Sequence, residues 1–144
     1  MPARQDPYRN FNFTVEIGGQ AMAGFSEVIL PAASADVIEY REGGDIHARK
    51  LPGRIHFSDL ILRRGITTSD ELYHWWRTVE NGQTERRDLR VVLLDEARNP
   101  VKTWRFRGAW PVRYQPSALM AEGRDVVIET LEITVEGLEV ESLT

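Results

Sequence analysis

Apolar and polar residues alternate along most of this chain. At the start Phe11, Phe13, Val15 and Ile17 are apolar, while Asn12, Thr14 and Glu16 are polar. That is the period of a strand with one buried and one wet face. Gly18-Gly19 is a two-residue hairpin signal. The return strand is expected over 20–30, with Gly24 as a bulge and Pro31-Ala32-Ala33 as its end. Further strands are expected over 35–41, 55–63, 89–94, 101–113 and 125–138. In the 101–113 strand Trp104 and Phe106 oppose Thr103, Arg105 and Arg107, and Pro111 ends regular pairing. The 125–138 strand sets Leu131, Ile133 and Val135 against Thr130, Glu132, Thr134 and Glu136.

Two segments break the alternation. Residues 42–54, with Gly43, Gly44, Pro52 and Gly53, have no apolar period and read as a long loop, a length at which loops are usually functional. One helix is expected over 69–80. Leu72, Trp75, Trp76 and Val79 fall at i, i+3, i+4 and i+7. Thr68 and Glu71 have the spacing of a capping box, and Asn81-Gly82 is a stop signal. The expected fold is mainly β: a single-domain antiparallel β-barrel or sandwich with one α-helix.

Composition narrows the function more than it names it. The 144 residues suit one domain. A net charge of −4 with interspersed signs disfavours non-specific binding to nucleic acid or anionic membranes. Without cysteine there are no disulfides or thiolate metal sites, which fits assembly in the cytoplasm. Residues 1–10 are polar, so no signal peptide is expected, and no apolar run is long enough for a membrane anchor.

No pattern in the chain organises catalytic chemistry. His47, His56 and His74 lack the i, i+4 spacing of a helical zinc motif, and neither a P-loop nor a nucleophile elbow is present. The acidic pairs Asp95/Glu96 and Glu39/Glu42 stand at strand ends and read as solvated carboxylates. Neither an enzymatic activity nor a cofactor or metal is expected. Trp75 and Trp76 are splayed by about 100° on a helix; one is expected in the core and the other at a subunit interface. The stripe Thr130, Glu132, Thr134 and Glu136 reads equally as a solvated face or as the wall of a water-filled lumen.

Eight short pieces carry a family resemblance in their order along the chain. They are Phe13-Thr14-Val15-Glu16-Ile17-Gly18, Gly24-Phe25-Ser26-Glu27-Val28, Glu39-Tyr40-Arg41-Glu42-Gly43-Gly44, Lys50-Leu51-Pro52-Gly53, Leu62-Arg63-Arg64-Gly65, Leu93-Leu94-Asp95-Glu96, Ala109-Trp110-Pro111-Val112, and Glu129-Thr130-Leu131-Glu132-Ile133 with Glu136-Gly137-Leu138-Glu139. Over residues 7–139 the chain resembles the inner-tube proteins of phage-tail-like contractile injection systems and the related tail-tube proteins of contractile phages. The resemblance implies hexameric rings stacked into a hollow tube, driven through a target envelope by a contractile sheath. The implied partners are further copies of the chain, the sheath protein, baseplate, spike and tube-terminating proteins, and protein cargo or DNA in the lumen. It implies that the long loop, with Glu42, Asp45, Arg49, Lys50 and Arg54, reaches the adjacent ring, and that the Thr130–Glu136 stripe faces the lumen. The rivals are a ring-forming carrier of the type VI secretion kind, a monomeric ligand-binding barrel and, behind these, a hydrolase.

Overall fold

The structure is a computed structural model and describes residues 12–123 and 125–143. Phe11 and the polar stretch 1–10 lie outside the described residues. The elements in order are β1 (Phe13–Ile17), β2 (Gln20–Met22), β3 (Phe25–Ile29), β4 (Ala33–Tyr40), β5 (Arg49–Phe57), β6 (Leu60–Gly65), α1 (Glu71–Glu80), β7 (Arg87–Leu94), β8 (Pro100–Pro116), β9 (Ile128–Thr134) and β10 (Gly137–Ser142). Eight strands form one sheet: seven follow the hydrogen-bonded path β2-β1-β7-β8-β9-β6-β3, and β10 pairs β8 off that path. All the pairings are antiparallel. The path folds over on itself as a sandwich-like open barrel, as expected in class.

Local chemistry explains the turns. Gly18 and Gly19 have φ of 61° and 82°, the two positive values that a tight primed hairpin between β1 and β2 requires. At Gly24 the expected bulge is instead a change of partner: β2 pairs β1, whereas β3 pairs β6. The long strand β8 joins both halves of the sandwich. Its first part pairs β7 and β10, and its last part pairs β9, with a register shift between Pro111 and Arg113. Regular pairing breaks at Pro111 as expected, while the strand itself runs on past the expected Arg113 to Pro116. Pro111, opposite Ile133, stands at this irregularity, a place where a sheet tolerates proline. Opposite Gly108, whose φ is 62°, the expected single strand 125–138 is interrupted at Val135 and Glu136, giving β9 and β10.

Between the layers Val15, Ile17, Leu60, Leu62, Leu89, Val91, Phe106, Leu131 and Ile133 form the core, with Leu72 and Trp75 from α1. Each such side chain contributes roughly 1.5–3 kcal/mol on burial. The helix is shorter than expected. Its N-cap is Asp70, and no side chain caps it. The capping box does not form: with Asp70 as N-cap, Glu71 is the first helical residue and not the third, so Thr68 and Glu71 are out of register for it. The expected stop is present, with Gly82 at φ 77°.

The largest correction concerns 42–54. This segment is not a loop throughout. β4 and β5 form a separate two-stranded ribbon, and only 41–48 connects them. Arg49, Lys50 and Arg54 lie on β5, and the expected 55–63 strand is split at Ser58-Asp59. All eight residues of β4 are exposed. With no core face, the ribbon has no period-two apolar pattern to read. Pro52 is tolerated in an edge strand, beside a register shift between Ala35 and Val37. The ribbon's root is fixed by Ser58 N–H donating to the Ala32 carbonyl at 3.0 Å and Ala32 N–H donating to Ser58 Oγ at 2.7 Å.

Candidate assembly surfaces

The ribbon is the first surface. Val37 lies opposite Pro52, and the next pair along, Ile38 and Leu51, points to the other face. Val37, Ile38, Leu51 and Ile55 are all exposed, so both faces present apolar side chains that their own fold leaves uncovered. A lone two-stranded ribbon is marginal in water, so this one calls for a neighbour. Its charges are unevenly spread: Asp36, Glu39, Glu42 and Asp45, with one cation, Arg41, precede the tip, and Arg49, Lys50 and Arg54 follow it. Asp45 pairs with Arg49 at 3.5 Å, and Glu42 Oε1 accepts from the Tyr40 hydroxyl at 2.6 Å. Three of the five loop candidates, Glu42, Asp45 and Arg49, thus organise the ribbon itself. Lys50, opposite Glu39, and Arg54 are exposed.

The second surface is the outer face of β9. Thr130, Glu132 and Thr134 alternate with buried residues and are half-exposed. Glu132 approaches Arg113 at 3.8 Å, and Thr130 stands opposite Arg63, which pairs with Glu27 at 2.5 Å. Glu136 does not continue this row. It sits in the β9–β10 connection, where its carboxylate pairs with Arg86 and lies over Gly108. The row is therefore charge-balanced rather than acidic. A similar balance holds across β1, β7, β8 and β10, where Glu16–Arg90, Arg107–Glu139 and Arg105–Glu141 pair at 3.2, 3.0 and 3.4 Å.

On the helix Trp75 is fully buried, and its Nε1–H donates to the Glu85 carbonyl at 2.7 Å. Trp76 is only partly buried against the same core. Beside them lies a group that the sequence reading missed. Arg64 and Glu129 face each other across β6 and β9, both buried, with Nε to Oε1 at 2.9 Å. The Tyr114 hydroxyl donates to Glu129 Oε2 at 2.7 Å. Burial, then this hydrogen bond, raises the phenol's pKa above its ordinary value of 10. Its contribution to stability is therefore complete below that value and lost only as pH rises beyond it. The signal was in the phase of the strands: Arg64 follows Leu60 and Leu62, and Glu129 precedes Leu131 and Ile133, each on the core face.

The histidines are dispersed: His47 at the ribbon tip, His56 on β5 within 3.0 Å of Asp36, and His74 on α1. Among the described residues no group of three or more His, Cys, Asp or Glu could hold a metal, and no helix is long and apolar enough to cross a membrane. The geometry offers extended faces, free strand edges and a projecting ribbon.

The sequence profile of the T4-like virus tail tube protein gp19 family matches residues 9–139. The chain belongs to that tail tube family. Its fold recurs over almost the whole length of chains in solved assemblies. The sheath-tube complex of the PVC extracellular contractile injection system in its extended state contains a chain with 23% identity and a TM-score of 0.88, covering 96% of this chain and 94% of that one. The tube-terminating cap of the anti-feeding prophage contains one with 21% identity and a TM-score of 0.88, covering 99% and 95%. Hcp1 from Flavobacterium johnsoniae is more distant, with 18% identity and a TM-score of 0.58, covering 90% and 94%. No curated protein sequence matches.

Proposed function

We propose that this chain is the building block of the hollow inner tube of a contractile injection particle. Copies close into hexameric rings, rings stack, and a surrounding sheath drives the tube through a target envelope. The observation that carries this reading is the ribbon β4–β5, ordered yet uncovered on both faces, on a tail tube family fold. Free edges at β2, β3 and β10 suit lateral pairing between copies, which removes exposed edges by closure. Trp76 is the helix residue assigned to the ring interface, and Thr130, Glu132 and Thr134 are assigned to the lumen. Baseplate, spike and terminator proteins are the partners at the tube ends, and protein or DNA is the cargo. The chain acts by assembly and catalyses no reaction. A ligand-binding barrel fits less well, because Trp75, Phe106 and Leu131 pack the interior.

Negative-stain electron microscopy of the concentrated, purified chain tests this proposal. Rings with a central hole, alone or stacked, are expected; a strict monomer at every concentration overturns it. Excising 34–56 and joining Ala33 to Phe57 by Asn-Gly should keep the fold, since these two residues are directly opposed and no core residue is removed. The melting temperature should change by only a few degrees, and stacking should be lost. Long tubes from the excised chain would assign the ribbon another role.

A further inference from the structure

One row of residues crosses the half of the sandwich built from β3, β6, β9 and the last part of β8. Phe25 stands opposite Arg64, Arg64 opposite Glu129, and Glu129 opposite Pro116. The row runs from one lateral edge to the other. β3 ends the path of strands, and beyond Ala109 β8 pairs only β9 among the described strands. Each end of the row carries an uncovered apolar feature. Directly after Pro116 comes the β8–β9 connection, on which Leu119 is 81% exposed, Met120 74% and Val126 70%. The connection is held in shape: Ser117 N–H donates to the Ile128 carbonyl at 2.7 Å, Ile128 N–H to Ser117 Oγ at 2.9 Å, and Gly123 N–H to the Met120 carbonyl at 2.9 Å. Directly before Phe25 the chain leaves β2 for β3. This switch opens a groove of about 350 Å³, lined among others by Phe13, Met22, Ala23 and Phe25. Phe13, Met22 and Phe25 are only partly buried.

We infer that Leu119 and Met120 of one copy seat in the Phe13–Met22–Phe25 groove of the next copy around the ring. This names a lateral contact of the ring proposed above and rests on that proposal. The shared row points to a second copy as the occupant. Loop and groove sit at one level of the sheet on opposite edges, three strand spacings or about 14 Å apart. A rotation about an axis along the strands therefore brings the loop of one copy beside the groove of the next. Each copy then uses its loop on one neighbour and its groove on the other, so a single type of contact covers both patches. A foreign partner would cover one and leave the other bare. Heterologous contacts of this kind close into a ring when the rotation closes. The contact also supplies what free strand edges lack. Backbone pairing between two edges leaves their register open, whereas a side chain seated in a groove fixes it.

The absence of cysteine makes the test direct. Ala23 is exposed in the groove. A chain carrying both Ala23→Cys and Leu119→Cys is concentrated until it assembles, then treated with a short bis-maleimide. Covalent oligomers that stop at the hexamer are expected on denaturing gels, because the contact runs round a closed ring; neither single variant should give them. Leu119→Asp should leave the melting curve of the dissociated chain unchanged, since the side chain is exposed there, and raise the concentration needed for ring formation by about tenfold or more. Rings visible by microscopy without cross-links would overturn the loop contact and leave the ring standing. A ladder that continues past the hexamer would place the contact between rings and overturn its lateral assignment. Neither rings nor cross-links at any concentration would overturn both.

Discussion

Glu129→Ala is expected to cost about 3–5 kcal/mol, because it leaves a buried guanidinium without its counter-charge. Arg64 is 5% exposed and Glu129 3%. Arg64 Nη2 already has no hydrogen-bond partner among the described residues, and the other carboxylate near the guanidinium, Glu71, is 3.9 Å away and half-exposed, too distant to replace the lost bond. The Tyr114 hydroxyl loses its acceptor in the same step. For a chain of this length the melting temperature should fall by about 10–15 °C, read by circular dichroism. Glu129→Gln keeps an oxygen in place and should cost less. The pair is weak evidence for stability as such: replacing both members with apolar residues, as in Arg64→Met with Glu129→Leu, should recover most of the loss. A Glu129→Ala melt within one or two degrees of wild type would show that water reaches the guanidinium. Because Arg64 and Glu129 are directly opposed in the β6–β9 register, a one-residue slip would separate the charges. The pair thus acts on which register forms as well as on how stable it is.

What could be read from the sequence followed the core. Wherever a strand has one buried face, as in β1, β7 and the heart of β9, alternation placed it, because that alternation is the burial pattern itself. Wherever a segment depends on neighbours, the sequence was mute or misleading. β4 and β5 bury nothing in their own subunit, so Pro52 and Gly53 read as loop residues although they lie in a strand. Val135 and Glu136 continued the period of β9, but opposite them Gly108 takes a positive φ and β8 changes partner from β10 to β9, which is a tertiary fact. Thr68 and Glu71 had the right spacing for a capping box, yet the helix begins only after Asp70, which takes both out of their capping positions. Among the surface candidates, three of the four stripe residues share a face, and Glu136 does not. Arg64 and Glu129 went unnamed, although both were visible as charges in apolar phase.

Trp75→Ala should be about as damaging as the loss of Glu129, at about 3–5 kcal/mol. The two tryptophans of α1 separate folding from assembly. Trp75 is fully buried, its indole N–H is bonded to the Glu85 carbonyl, and the Arg87 guanidinium lies over its ring at 5.2 Å. Truncation leaves a cavity at the contact between the helix and β8, strips Glu85 of its donor and frees Arg87. Three consequences of one deletion put the cost near the top of the range for core aromatics. Trp75→Phe fills most of the cavity but forfeits the hydrogen bond, and should cost about 1–2 kcal/mol. Trp76, one position on, is only partly buried, so Trp76→Ala should cost markedly less in a urea titration of the dissociated chain. If Trp76 meets a neighbouring copy, its loss should raise the concentration at which rings form far more than its modest unfolding cost predicts. Equal effects of Trp76→Ala on unfolding and on ring formation would return that residue to the core and leave the ring interface to the free strand edges.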